Sequence, residues 1–414
     1  MIDWKAMKKT LLFWAFATSL APLRAEKPAN SQVDSTEEST PKTGEHESTK
    51  DGEILTTKLN GREFHLFVPK GLTAVRGIII NGPGMRSTTL KYAASPTWQA
   101  QARLYHYVLM VWDHGDKIYN GDVLKAIETL SANPGLSAMK TAPIVAYGFS
   151  AGGGTAWFHA RTMPERIVTY TINKGSSSKE ILPDAAWGIP GLNARGTQEV
   201  DEMMANQDQL FARNRSSGAL LGFLVEEGAK HVTGDVFNDL SIPYLWQIEK
   251  LRNPAGAVPL VPMDESSGWL ADPETRTSAM MKIYAYSNYP AGKDKRKACW
   301  LPNQNMAYTF SAMGTSARKL SLSGSRGNRS VASEGEKESY QVTFEGGASA
   351  EDFKRIEFYD YAQKIGELES GARLLFTSPP LAVGVHSFLA IAYDQAGNAG
   401  ISNPRTLTVL PSKK

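Results

Sequence analysis

Apolar positions along the chain follow two different grammars. From Glu53 to about Met313, short continuous apolar runs alternate with helical stretches, which predicts a mostly parallel sheet with crossover helices on its faces. Phe64–Val68, Gly77–Ile80, Tyr107–Trp112, Ala142–Tyr147, Ile167–Ile172 and Leu220–Val225 read as its strands. Helices are expected around Asp122–Ala132, from Ser150 to about Arg161, and after Ser241-Ile242-Pro243, with the proline in an early position where its missing donor is harmless. After about Ala317 only strands and turns remain. Tyr340–Phe344, Ile356–Tyr359, Ser387–Tyr393 and Thr406–Leu410 are separated by Gly, Asp, Asn and Pro, the spacing of a β-sandwich over residues 317–411.

The first 25 residues break this pattern. Lys5, Lys8 and Lys9 precede an apolar run from Thr10 to Leu23, and Leu23-Arg24-Ala25 offers a small-residue cleavage site, so the segment reads as a signal peptide. The run is short for a membrane span, which needs about 20 apolar residues, so no integral span is expected. The expected location is secreted or periplasmic. Residues 26–52 hold Val33 as their one aliphatic side chain larger than alanine before Ile54, and no aromatic ring. They are expected to be a Ser/Thr/Glu-rich linker, too polar to offset its ordering entropy.

Charge and cysteine content remove several function classes. The formal charge of +3 matches the excess of Lys5, Lys8, Lys9 and Arg24 over Asp3 within the signal segment. The remainder is formally neutral and has no electrostatic footprint for nucleic acid. The single cysteine, Cys299, excludes an internal disulfide, a thiolate zinc site and an iron–sulfur cluster. Neither a metal nor an organic cofactor is expected.

Tyr147-Gly148-Phe149-Ser150-Ala151-Gly152 carries the chemistry. It fits the G-x-S-x-G elbow, in which a strand turns sharply into a helix and presents a serine oxygen. An apolar strand precedes it, and Gly153–Phe158 can open a helix. With Arg76–Pro83, Trp98-Gln99-Ala100, Pro164-Glu165-Arg166 and Gly228–His231, the chain over about 53–312 resembles the α/β-hydrolase superfamily. More narrowly it looks like bacterial esterases of the polyhydroxybutyrate depolymerase and dienelactone hydrolase groups. The resemblance implies an eight-stranded, mostly parallel sheet and the order serine, acid, histidine along the chain. Asp394–Asn398 and Ser402-Asn403-Pro404 make the C-terminal part similar to bacterial immunoglobulin-like domains.

Of the seven histidines, His46 lies in the linker, His386 in the C-terminal module, and His65, His106 and His114 precede Ser150. His114 follows a strand at the end of the sheet where pocket loops gather, so it either lines the pocket or caps its loop. His159 lies on the helix leading away from the serine. His231 remains, in the loop after Leu220–Val225, where the superfamily keeps its base. The segment Ile189–Glu199 resembles the family's strand running into Gly-x-x-Asp, with Glu199 in the acid position and Asp201 as the alternative. The resemblance also implies an oxyanion hole from the Ala151 amide and a second amide in the loop after Gly77–Ile80. Pro83 has no amide hydrogen, which leaves Gly84 or Met85.

Ser176–Lys179 imitates S-x-x-K without its supporting motif, and Glu226-Glu227 is a carboxylate pair on one turn. Asn253–Leu301 is too long for a simple connection, and its Trp269, Tyr284, Tyr286, Tyr289 and Trp300 are either a substrate-facing wall or a domain interface. The expectation is a secreted serine hydrolase cleaving carboxylic esters, on a polymer or at a cell surface. The alternatives are a non-catalytic adhesion or polysaccharide-binding protein on a hydrolase scaffold, and a peptidase or acyltransferase with the same triad. The immunoglobulin-like module is expected to be non-catalytic.

Overall fold

The apolar runs of the first grammar lie side by side in one nine-stranded sheet. The structure is a computed structural model that describes residues 46–412, apart from 86, 88, 114–119, 176–180, 233–236, 255, 257, 328–329 and 370–373. The elements are, in chain order, β1 (His46–Ser48), β2 (Gly52–Leu59), β3 (Arg62–Pro69), β4 (Gly77–Gly82), α1 (Leu90–Ala93), α2 (Pro96–Tyr105), β5 (Tyr107–Trp112), α3 (Asn120–Leu130), β6 (Ile144–Phe149), α4 (Ala151–Thr162), β7 (Ile167–Asn173), β8 (Gly191–Gly196), α5 (Asp201–Ser217), β9 (Leu221–Glu226) and α6 (Asn238–Arg252). Strands stand in the order β1-β2-β3-β5-β4-β6-β7-β8-β9. The first three and β5 pair antiparallel; from β5 to β9 all pairings are parallel.

The continuous apolar runs have a physical cause. β4, β5 and β7 are buried at every position, because helices cover both faces of a parallel sheet. One face packs Val123, Ala126, Ala156, Trp157 and Leu210 from α3, α4 and α5. The other packs Trp98 and Ala102 of α2 and Leu240, Leu245 and Ile248 of α6.

Beyond α6, three short strands, β10 (Trp269–Ala271), β11 (Ile283–Ala285) and β12 (Cys299–Leu301), form a small antiparallel sheet centred on β10, and α7 (Gln304–Gly314) follows. The remainder holds β13 (Leu320–Gly324), β14 (Val331–Ser333), β15 (Ser339–Phe344), β16 (Phe353–Asp360), β17 (Gln363–Glu369), β18 (Leu375–Thr377), β19 (Gly384–Asp394), β20 (Ala399–Ile401) and β21 (Arg405–Leu410). They make a three-stranded sheet, β13-β15-β18, and a second sheet, β14-β21-β19-β16-β17, with β20 added against β19. Leu322, Tyr340 and Val342 of the first meet Phe358, Phe388, Ala390 and Val409 of the second in one core.

The outer face of that second sheet is buried as well. Along β19, Phe388, Ala390 and Ala392 point into the two-sheet core, whereas Leu389 and Ile391 pack with Ala312 of α7. Burial on both faces explains why Ser387–Tyr393 is apolar at nearly every position instead of alternating. Ser387 accepts from Thr309 Oγ1 at 2.9 Å, and Gln101 of α2 donates to Thr408 of β21.

Two boundaries differ from the sequence reading. The last part of the expected linker, His46–Ser48, is an edge strand on β2. Main-chain hydrogen bonding to an open strand edge does not depend on apolar side chains, so composition hid it. Helix α6 starts at Asn238, which places Pro243 inside it, not in its first turn. The missing Pro243 donor leaves the Asp239 carbonyl without its helical partner. Thr406 of β21 supplies the replacement, donating Oγ1 to that carbonyl at 2.9 Å and its amide to Asp239 Oδ1 at 2.7 Å.

One buried acid beneath the sheet makes stability depend on pH. Glu249 of α6 is 3% exposed, accepts from the Tyr107 hydroxyl at 3.3 Å, and lies 3.8 Å from Arg76. Burial outweighs the cation and pushes its carboxyl from 4.5 up to about 7. A raised carboxyl pKa means that the folded state holds the proton more tightly than the unfolded chain. Stability from this group is therefore fully present below about 4.5 and is lost as pH rises towards about 7. Glu249→Gln is expected to flatten this decline and to raise the melting temperature at pH 8 relative to pH 4.5. Parallel melting curves for the two proteins across that range would refute the assignment.

Candidate active site

Strand β6 delivers Ser150 to the C-terminal edge of the sheet, and α4 starts at the next residue. Ser150 holds φ 51° and ψ −116°, a region that L-residues rarely occupy, so its neighbours must enforce it. Its amide donates to Asn173 O at 3.0 Å, and its carbonyl accepts from Gly153 N at 3.0 Å. The glycines on either side are required by close approach. A Cβ on Gly148 would lie 2.1 Å from Gly152 O, and a Cβ on Gly152 would lie 1.9 Å from Gly82 O.

His231 follows β9 and reaches Ser150 through Nε2, 2.9 Å from Oγ. Its Nδ1 lies 2.6 Å from Glu199 Oε1. Glu199 is wholly covered at its side chain, and its second oxygen accepts the Gly196 amide at 2.7 Å. With a proton on Nδ1, the ring donates to Glu199 and leaves Nε2 to accept from the serine hydroxyl. Phe149 packs 5.4 Å from the imidazole, centroid to centroid. Ser150, His231 and Glu199 therefore form one hydrogen-bonded chain. Asp201 is exposed on the first turn of α5, and the bond to Nδ1 is made by Glu199.

Ala151 is the first residue of α4, where amides have no acceptor within the helix. Gly84 lies beside Ser150: a Cβ there would be 3.5 Å from Ser150 Cβ. Met85 follows and is exposed. The Pro83 carbonyl accepts from Gly152 N at 3.0 Å and ties this loop to the helix start.

His114 and Ser176–Lys179 lie outside the described residues. The other described histidines have different surroundings. His65 is buried against Thr56, and burial lowers its pKa. His159 is wholly buried, which drives it down to about 3. His106 is exposed in left-handed geometry after α2. His386 lies within β19, where burial is outweighed by the bond from Nδ1 to Asp360 Oδ2 and its pKa is raised.

Trp269 sits on β10, partly buried against the core that contains α6 and α7. Tyr284, Tyr286, Tyr289 and Trp300 gather with Leu220 and Leu270 in a small cluster of their own. Contact between this segment and the C-terminal sheets runs through other residues, Ala279 O accepting from Ile401 N and Met280 packing with Leu389 and Ile391. Glu226 and Glu227 each have a cation, Lys174 and Arg276. Lys174 drew no attention in the sequence, where no motif spacing marks it. Among the described residues, no group of three or more His, Cys, Asp or Glu could hold a metal ion, and no helix is long and apolar enough to cross a membrane.

No protein-family model and no curated protein matches the chain. Solved structures similar to it include MGS-M1, an α/β-hydrolase enzyme from a Medee basin deep-sea metagenome library, at 13% identity and TM-score 0.38, covering 49% of this chain and 100% of that one. A ferulic acid esterase matches at 12% identity and TM-score 0.36, covering 45% and 92%. Clostridium thermocellum CbhA fibronectin(III)-like modules match 21% of this chain and 93% of theirs at 17% identity and TM-score 0.19. Scores of this size bear on neither activity nor substrate, so the functional reading rests on the geometry.

The close approach at the elbow is directly testable. Gly152→Ala is expected to cost about 3 kcal/mol, because neither the Gly82 carbonyl nor the helix start can move away freely. Chemical denaturation of the purified variant reads this, and an undiminished midpoint would show that the two backbones stand farther apart.

Proposed function

We propose that the protein is a serine hydrolase that cleaves carboxylic esters through an acyl-enzyme. The observation that carries this reading is the Ser150–His231–Glu199 chain at 2.9 and 2.6 Å, mounted on a strained strand–helix turn. A scaffold serving only adhesion would gain nothing from holding a strained serine within hydrogen-bond reach of an imidazole. This favours catalysis over a binding role.

In the proposed cycle, Ser150 Oγ attacks the ester carbonyl carbon while His231 Nε2 takes its proton. The oxyanion accepts hydrogen bonds from the Ala151 amide and from Gly84 or Met85. The C–O bond then breaks, and His231 returns the proton to the leaving alcohol. Water, deprotonated by His231, attacks the acyl carbon; the bond to Ser150 Oγ breaks, His231 returns its proton to that oxygen, and the acid is released. Glu199 fixes the imidazole tautomer and stabilises the imidazolium; it does not take the proton.

The basic and apolar stretch of residues 1–25 supports export to the periplasm or the exterior. The C-terminal pair of sheets is read as an immunoglobulin-like module without catalytic residues. Its pairing with a hydrolase suits an ester carried on a polymer or a cell surface.

Ser150→Ala is expected to abolish both turnover of short p-nitrophenyl esters and labelling by a fluorophosphonate probe, with the circular dichroism spectrum unchanged. Glu199→Gln is expected to lower kcat by about 10⁴-fold, since it breaks the tautomer control. Asp201→Asn should leave kcat unaltered. Turnover that survives in Ser150→Ala would overturn the reading. An ester and an amide sharing one acyl group separate esterase from peptidase activity.

A further inference from the structure

Lys174 is the most unusual cation among the described residues. It follows β7, is 1% exposed, and adopts φ 50° although it is not glycine. Its ammonium donates to Glu226 Oε2 at 2.5 Å. A left-handed turn alone would be served better by glycine, and a buried ion pair is often no more stabilising than apolar residues of similar volume. The lysine therefore needs a purpose other than stability.

Its contacts identify one. The residue before it, Asn173, accepts the Ser150 amide at 3.0 Å, which fixes the nucleophile. The Lys174 amide donates to Ala194 O of β8 at 2.8 Å, two residues before Gly196, whose amide holds Glu199. Its side chain crosses the end of β8, the strand between β7 and β9, to reach Glu226 at the end of β9. Glu226 O in turn accepts from Thr197 N at 3.0 Å, and Ala229 O accepts from Gln198 N at 2.9 Å, which joins the acid loop to the loop carrying His231. The loops that present serine, acid and base thus all meet at the Asn173-Lys174 pair. The other charges near these loops are already engaged: Glu227 with Arg276, and Arg195 with Asp208, while Lys230 and Asp201 are exposed.

We propose that Lys174, through its ion pair with Glu226, is a positioning residue that sets the His231 loop against Ser150 and Glu199. This rests on the triad reading above. Three variants test it, with Lys174→Arg as the conservative control: Lys174→Met, Glu226→Gln and the pair combined. Displacing a catalytic group by about 1 Å can cost about 100-fold, so each single variant is expected to lower kcat by about 10- to 100-fold with KM little changed.

The pH profile of kcat/KM separates positioning from a merely structural role. Lys174→Met leaves a lone carboxylate near the base and should move the acid limb to higher pH. Glu226→Gln leaves a lone ammonium and should move it to lower pH. The double variant should return the limb towards its original place and recover part of kcat, and Lys174→Arg should retain most activity. If Lys174→Met does not fold, Glu226→Gln and Lys174→Arg carry the same comparison. The proposal is overturned if the single variants lose only thermal stability while kcat and the acid limb stay as they were. Failure of the triad reading shows separately, as turnover persisting in Ser150→Ala.

Discussion

The contact between Gly152 at the start of α4 and Gly82 at the end of β4 is the constraint on which the site depends. These backbones touch so closely that a methyl group on Gly152 would fall 1.9 Å from the Gly82 carbonyl. That approach seats α4 against the sheet with no room for a looser turn, and Ser150 takes up the difference as φ 51°. The same contact brings the Pro83 carbonyl onto Gly152 N, which places Gly84 beside Ser150. Serine, helix start and neighbouring loop are thus held as one unit, the preorganisation that the proposed oxyanion stabilisation requires.

The C-terminal sheets are built into the part that holds the nine-stranded sheet instead of hanging from it. β19 is buried on both faces, and α2 is likewise buried between the large sheet and β21, with Gln99 Nε2 donating to Ala93 O and Gln101 Nε2 to Thr408. Pro243 is the local expression of this arrangement. A proline inside a helix ordinarily leaves a carbonyl exposed, and Thr406 of β21 now fills that vacancy. Because α6 follows the His231 loop in the chain, the C-terminal sheets brace the helix after that loop without supplying a residue to the Ser150–His231–Glu199 chain.

Residues whose chemistry is local were legible in the sequence; residues that act across strands were not. The elbow announces itself in six consecutive positions, and seven histidines are few enough for elimination to reach His231. Glu199 could be placed only by resemblance, because strand β8 carries Asn193 and Arg195 and lacks a clear apolar run. β17 went unread for a related reason: it is an edge strand, and its Gln, Lys and Glu residues are the charges that protect such edges. Lys174 was illegible in principle. Its partner is 52 residues away, and no periodicity links a lysine after one strand to a glutamate at the end of another.

The choice of glutamate over aspartate at 199 follows from the geometry around it. The carboxylate must satisfy two donors from different loops, the Gly196 amide at 2.7 Å and His231 Nδ1 at 2.6 Å. It is buried, so an unfilled oxygen would be costly. With both oxygens occupied the carboxylate cannot rotate, and the imidazole inherits that fixed orientation. Asp201 lies two residues farther on, where α5 begins, and is exposed to solvent. The extra methylene of Glu199 supplies the reach that its backbone position, three residues after the end of β8, demands.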